Sequence, residues 1–104
     1  MIKNEAVEKL PEKYKKDIEK AVEILKNRGC TEVYLFGSLA DGNYHENSDI
    51  DLGVKGLAGR IYFKTWAEID RAVNTEIDLV DFDGDDNDFA KFIFQEESEL
   101  IKVL

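Results

Sequence analysis

The sequence predicts an α/β (α+β) fold, a small mixed β-sheet with helices on one face. Three observations carry that expectation. Apolar residues recur at helical spacing over 11–28 and again over 61–73. Short β-branched and aromatic runs, EVYLF, DIDLGV and EIDLVDF, alternate with those stretches. The connection from the first run to the second is short, which favours an antiparallel pair, whereas a helix joins the second to the third, which favours a parallel crossover.

The elements follow in order. Residues 11–28 read as an amphipathic helix in which Tyr14, Ile18, Ala21, Val22 and Leu25 share a face. Pro11 suits the first helical position and Gly29 the stop. Residues 32–36 read as a strand that ends in Gly37-Ser38, with a short helical turn through Leu39 and Ala40. Residues 43–48 form a polar loop and 49–54 a second strand. After the loop GLAGR, a second helix over 61–73 places Tyr62, Trp66, Ile69 and Val73 at core spacing. Residues 76–82 read as a third strand, and DGDDND as a turn. Asn87 or Asp88 then caps a helix over 89–97, and LIKVL adds a short edge strand. With no repeat or linker, residues 1–104 are expected to form a single domain.

Acidic residues number 23 against 14 basic, a formal charge of -9. That balance disfavours a nucleic-acid backbone as ligand, because such binding rests on neutralisation by Lys and Arg. It suits a cation-requiring site and a basic protein partner. The stretch MIKNEAVEKL lacks an apolar signal core and no apolar run approaches ~18 residues, so a soluble, cytoplasmic protein without membrane contact is expected. Cys30 is the lone cysteine, which excludes an internal disulfide and a thiolate metal cluster. Asp81, Asp83 and Asp85 imitate the start of a calcium loop, but Asp86 stands where its glycine belongs and Phe92 where its glutamate belongs.

The chemistry concentrates in GSLADGNYHENSDIDL. Gly37 and Ser38 close the first strand, where small residues let backbone N–H groups approach a phosphate. Ten residues later come Asp49 and Asp51, two apart on a strand and therefore on one face. Ile50, Leu52 and Val54 take the other face, against the helices, so the carboxylate face is expected to be open. In the third strand Ile77 and Leu79 would pack inward, which puts Asp78 with the other acids, near the same strand end as Asp49. Asp81 has the opposite parity and lies about 10 Å further along at ~3.3 Å per residue. Three clustered acids repel unless cations neutralise them, and hard oxygen ligands select Mg²⁺ or Mn²⁺.

Gly37-Ser38, ten residues, Asp49-Ile50-Asp51 and then Ile77-Asp78-Leu79 resembles the DNA-polymerase-β-like nucleotidyltransferases, and the form SDIDL…EIDLVDF is similar to their minimal (MNT) branch. The resemblance covers most of 31–82. It implies that Gly37 and Ser38 hold the triphosphate of a nucleoside triphosphate, with ATP the implied donor. It implies that Asp49 and Asp51 ligate the metal carrying the nucleotide, and that Asp78 completes a second metal site and helps activate the acceptor hydroxyl. The implied partner is a HEPN-domain toxin, with this chain as a cytoplasmic antitoxin that adenylylates it. Relatives often carry arginines just after the Gly-Ser pair, where this chain has Leu39 and Asp41. Lys55, Arg60 and Lys64 are the cations that could take their place. The departure keeps a second reading in play, a non-catalytic antitoxin that masks its partner.

Overall fold

The structure, a computed structural model, describes residues 5–42, 44, 45, 47–83 and 100–104. Four strands order themselves β3-β2-β1-β4, where β1 is Glu32–Phe36, β2 Ile50–Lys55, β3 Ile77–Asp81 and β4 Ile101–Lys102. β1 is antiparallel to β2 and to β4, and β2 is parallel to β3. The mixed sheet is therefore as expected. The helices are α1, Glu5–Glu8, then α2, Glu12–Asn27, then α3, Ser38–Asp41, and α4, Tyr62–Ala72. A 3-10 turn over Gly59–Ile61 leads into α4. The helix expected over 89–97 lies outside the described residues.

Strand alternation sorts the sheet into two faces. Val33 and Leu35 of β1, Ile50, Leu52 and Val54 of β2, and Ile77 and Leu79 of β3 are buried on the helix side. They meet Ile18, Ala21 and Leu25 of α2 and Ile69 of α4 in one core. Arg28, at the end of α2, bonds Glu68 of α4 at 2.8 Å and ties the two helices together at the surface. Val7 and Leu10 extend the core from the chain's start, through a helix the sequence reading left out. Pro11 precedes α2 in an extended conformation, φ -53° and ψ 147°, so it sits one place before the helix and not inside it.

The α4 stripe packs on the core as expected, with Ile69 and Val73 buried and Tyr62 and Trp66 against its margin. Thr65 and Ile69 point into the core, whereas Tyr62 and Trp66 are half-exposed. Their polar atoms explain the exposure. Trp66 donates its indole N–H to the carbonyl of Ile77 at 2.8 Å, and Tyr62 donates its hydroxyl to the carbonyl of Leu79. An amphipathic ring that can reach a backbone acceptor settles over the sheet's edge with its polar atom satisfied.

The face away from the helices divides in two. Toward the C-terminal end of β2, Phe82 packs on Phe36 and Tyr34. A Cβ on Gly53 would fall 2.1 Å from the Phe82 ring, so glycine there lets the ring lie on the strand. The open face is thus narrower than expected, with Phe82 lying over Gly53 and Phe36 flanking the carboxylate end from β1. Among the described residues no helix is long and apolar enough to cross a membrane.

Candidate active site

β2 and β3 hold Asp51 and Asp78 directly opposite one another in parallel register. The sequence reading set Asp49 level with Asp78. Hydrogen bonding instead pairs Ile50 with Ile77, and the Ile50 N–H reaches the Glu76 carbonyl at 2.9 Å. Asp49 therefore lies just before β2, exposed, at the strand's open end. Asp78 is exposed and Asp51 half-buried. Asp81 stands opposite Val54, three register positions from the Asp51–Asp78 pair, and accepts the Asp83 N–H at 2.9 Å.

The Asp51 carboxyl is pushed up from 3.8 to about 6. Burial contributes most, followed by the negative charges of Asp78 and Asp49 and a hydrogen bond with the Asp78 side chain. Acids that repel in this way are primed to take up a cation. No three His, Cys, Asp or Glu side chains among the described residues stand close enough to hold a metal ion by themselves. The donor set still fits hard divalent cations, because Mg²⁺ is ordinarily held by one or two carboxylates with substrate phosphates completing its shell. Asp51 and Asp78, with Asp49 beside them, supply that protein share.

Gly37 and Ser38 come to the same place. Asp51 is paired with Phe36 across β1, so the turn that follows Phe36 falls beside its carboxylate. A Cβ on Gly37 would lie 2.2 Å from Asp51 Oδ2. The backbone there has φ 76° and ψ -155°, a conformation kept essentially for glycine. Ser38 begins α3, in which Leu39 is buried and Asp41 exposed. The structure thus brings Gly37, Ser38, Asp51 and Asp78 together, with Asp49 at the rim. It does not bring Lys55, Arg60 or Lys64 there. Lys55 ends β2 opposite Glu32, and Arg60 and Lys64 follow at that far end before α4 runs back toward the start of β3.

A cleft of about 310 Å³ opens beside Asp49, walled by Asn47 and Ser48 on one side and Asn74 and Thr75 on the other. Helix α2 fixes both walls. The Tyr14 hydroxyl donates to the His45 carbonyl at 3.0 Å, and Ser48 Oγ accepts the His45 N–H at 2.8 Å. Asp17, only 2% exposed, accepts the N–H groups of Asn74 and Thr75 at 3.2 and 2.9 Å. Lys13 also lines this cleft, which places a cation near Asp49. Sequence reading missed these residues. The available signal was Asp17 itself, an acid on the apolar stripe of α2 that needs partners if buried.

The fold and the acid-lined strands define a nucleotidyltransferase core. Residues 19–103 match the family described as "Polymerase beta, Nucleotidyltransferase". The chain belongs to that family, and its reaction class is nucleotidyl transfer. Among solved structures it is similar to a toxin–antitoxin complex with AMP-PNP, at 23% identity and a TM-score of 0.66, covering 83% of this chain and 71% of the other. An MntA–HepT toxin–antitoxin structure matches at 19% identity and a TM-score of 0.61, over 85% and 69% of the two chains. The complex of a tri-AMPylated Shewanella oneidensis HEPN toxin with its MNT antitoxin matches at 19% identity and 0.60, again over 85% and 69%. At these identities the likeness is one of fold. No curated protein matches the sequence.

Proposed function

We propose that this chain transfers a nucleoside monophosphate, AMP from ATP, to a hydroxyl on a HEPN-type partner protein and thereby acts as its antitoxin. The observation that carries the reading is the Asp51–Asp78 pair in register beside the Gly37 turn. In this reading residues 1–104 work as one domain in the cytoplasm, where ATP is at hand. The structural neighbours, a HEPN toxin bearing AMP with its MNT antitoxin and a toxin–antitoxin with AMP-PNP, support the choice of donor and partner.

Asp49 and Asp51 would hold Mg²⁺ or Mn²⁺ with the nucleotide, and Asp78 a second ion. Such ions supply charge neutralisation of the phosphates and a lowered pKa for a bound oxygen nucleophile. The chain's own groups do the rest. The Gly37 backbone and Ser38 seat the triphosphate on the β1 side of Asp51. Asp78, exposed on the β3 side, faces the incoming hydroxyl and draws off its proton. The hydroxyl oxygen bonds to the α-phosphorus, the bond from that phosphorus to the bridging oxygen breaks, and pyrophosphate leaves on the β1 side.

Leu39 and Asp41 favour the second reading, a module that silences its partner by binding alone, since α3 offers no cation to the triphosphate. One experiment separates the two. The chain is mixed with its HEPN-type partner, Mg²⁺ and α-labelled ATP, CTP, GTP or UTP. Label transferred to the partner from ATP supports the enzyme. Silencing of the partner without label from any nucleotide replaces it with the binding module.

A further inference from the structure

We propose that Asp17 is a positioning residue for nucleotidyl transfer, setting from within the core where Asp78 stands against Asp51. The inference rests on the nucleotidyltransferase reading and deepens it, because strand pairing brings the two acids level but does not fix how β3 enters the sheet.

The chain of contacts is short. Residues 73–76 join α4 to β3. Asp17 Oδ2 accepts the N–H groups of both Asn74 and Thr75, at 3.2 and 2.9 Å. Only Glu76 separates that grip from the strand, and its carbonyl accepts the Ile50 N–H at 2.9 Å. Ile50 and Ile77 then pair, and Asp51 and Asp78 after them. Asp78 lies three residues beyond Thr75, roughly 10 Å at ~3.3 Å per residue. A displacement of the grip therefore reaches the acid with little backbone to absorb it. The same helix holds the entry to β2 one turn earlier. The Tyr14 hydroxyl donates to the His45 carbonyl, which also accepts the Ser48 N–H at 3.1 Å, and Asp49 follows Ser48. Tyr14 and Asp17 thus hold, from one rigid helix, the entries to the two strands that carry the acids.

Packing does not account for an acid at this place. Its neighbours on the α2 stripe, Tyr14, Ile18 and Ala21, are buried, and Asp17 itself is only 2% exposed. Taking a carboxylate out of water is costly, and an apolar side chain of similar size often serves stability as well or better. What the acid supplies is one charged oxygen for two consecutive N–H groups just past the end of α4. Bonds to an ionised acceptor are roughly twice as strong as neutral ones. A catalytic carboxylate must be held within about 0.5 Å of its working place, and about 1 Å of misplacement can cost ~10²-fold in rate. A stiff grip close to Asp78 meets that demand.

The test follows label from α-labelled ATP to the HEPN-type partner, with the full chain as wild type, Asp17→Leu, Asp17→Asn and Val22→Ala. All are assayed at a temperature where melting curves show them folded. Leucine keeps the position filled but accepts no hydrogen bond. Asparagine keeps an oxygen for the two N–H groups. Val22→Ala loosens the same helix at a side chain that makes no hydrogen bond. Asp17→Leu should lower kcat by about 10- to 100-fold, with KM for ATP within about twofold of wild type. Asp17→Asn should keep kcat within about threefold, and Val22→Ala should match wild type. Amide exchange gives a readout apart from activity. The Ile50 N–H should exchange at least about tenfold faster in Asp17→Leu than in Val22→Ala. If Asp17→Leu does not fold, Asp17→Ser carries the same expectations, since its hydroxyl is too short to reach the loop and can turn back on its own helix. Full kcat in the variant that lacks the acceptor, a loss no greater than that of Val22→Ala, or an Ile50 amide equally protected in both would overturn the role and leave the enzyme standing. A wild type that labels the partner from no nucleotide would bring down the transfer reading and this role with it.

Discussion

Gly37 and Asp51 are in such close approach that a single methyl group on residue 37 would sit 2.2 Å from the Asp51 carboxylate. The contact joins the two halves of the site. The turn that would seat phosphate and the acid that would hold metal cannot be altered independently.

Gly37→Ala is therefore expected to cost both stability and binding. The backbone conformation alone costs about 1–3 kcal/mol for a residue with a Cβ, and displacing Asp51 adds to it. Urea unfolding should show the loss, and Mg²⁺–ATP affinity should fall with it. An alanine variant as stable as wild type would mean that the turn is free to relax.

Asp51→Asn should stabilise the metal-free protein in a pH-dependent way. The carboxyl is raised from 3.8 to about 6 in the folded state, so the folded chain holds that proton more tightly than the unfolded chain. Its contribution is fully present below pH ~4 and is lost as pH rises through about 6. Asparagine cannot ionise. The advantage of the variant should therefore grow between pH ~4 and ~6 and then level off. At 1.36 kcal/mol per pH unit the ceiling is about 3 kcal/mol, which solvent access at a half-buried group reduces to about 1–2 kcal/mol. Unfolding series in chelator at several pH values check this, and a pH-independent difference would refute it.

Asp78→Asn should remove essentially all transfer to the partner, by roughly 10²-fold or more, whereas Asp81→Asn should retain most of it. The same Asp78 change removes a charge and a hydrogen bond that raise Asp51. Carbon-detected NMR titration should find the Asp51 carboxyl moved down toward its ordinary range in Asp78→Asn and unmoved in Asp81→Asn. Inactivity of the Asp81 variant together with activity of the Asp78 variant would reverse the assignment.

Gly53→Ala tests the aromatic cover. The new methyl would meet the Phe82 ring at 2.1 Å, so the ring must leave Phe36 and Tyr34, at a cost of about 1–3 kcal/mol. In a Phe82→Ala background the same change should cost well under about 1 kcal/mol, a coupling a double-mutant cycle would measure. Equal costs in the two backgrounds would show that Phe82 yields freely.

Much of this architecture was legible in the chain, because periodicity reports faces. The stripe Tyr14, Ile18, Ala21, Val22 and Leu25 is buried as its spacing requires, and Ile50, Leu52 and Val54 turn inward as strand parity requires. Parity also puts Asp51 and Asp78 on one face. It does not fix level, since register depends on hydrogen bonds between strands distant in sequence, and here these set Asp78 against Asp51 and not Asp49. Tyr62 and Trp66 pack against the core as their spacing predicts, but their partial exposure has a related cause. Spacing marks a stripe, but not where the stripe passes from the sheet's face to its edge. Tyr14 and Asp17 reach loops 30 or more residues away in sequence, which no local pattern reveals.

The hydrogen bonds from Tyr62 and Trp66 to β3 bear on how the molecule keeps apart from its own copies. Among the described residues β3 has a strand on one side only, and the carbonyls of its alternate residues Ile77 and Leu79 are already taken by side chains of α4. A passing strand therefore finds acceptors occupied where a fibril or a swapped dimer would begin to zip. Phe63, 76% exposed and stacked on Trp66, lies over that barrier. At this border the side chains of Tyr62 and Trp66, in place of a neighbouring strand, meet the β3 carbonyls of Leu79 and Ile77.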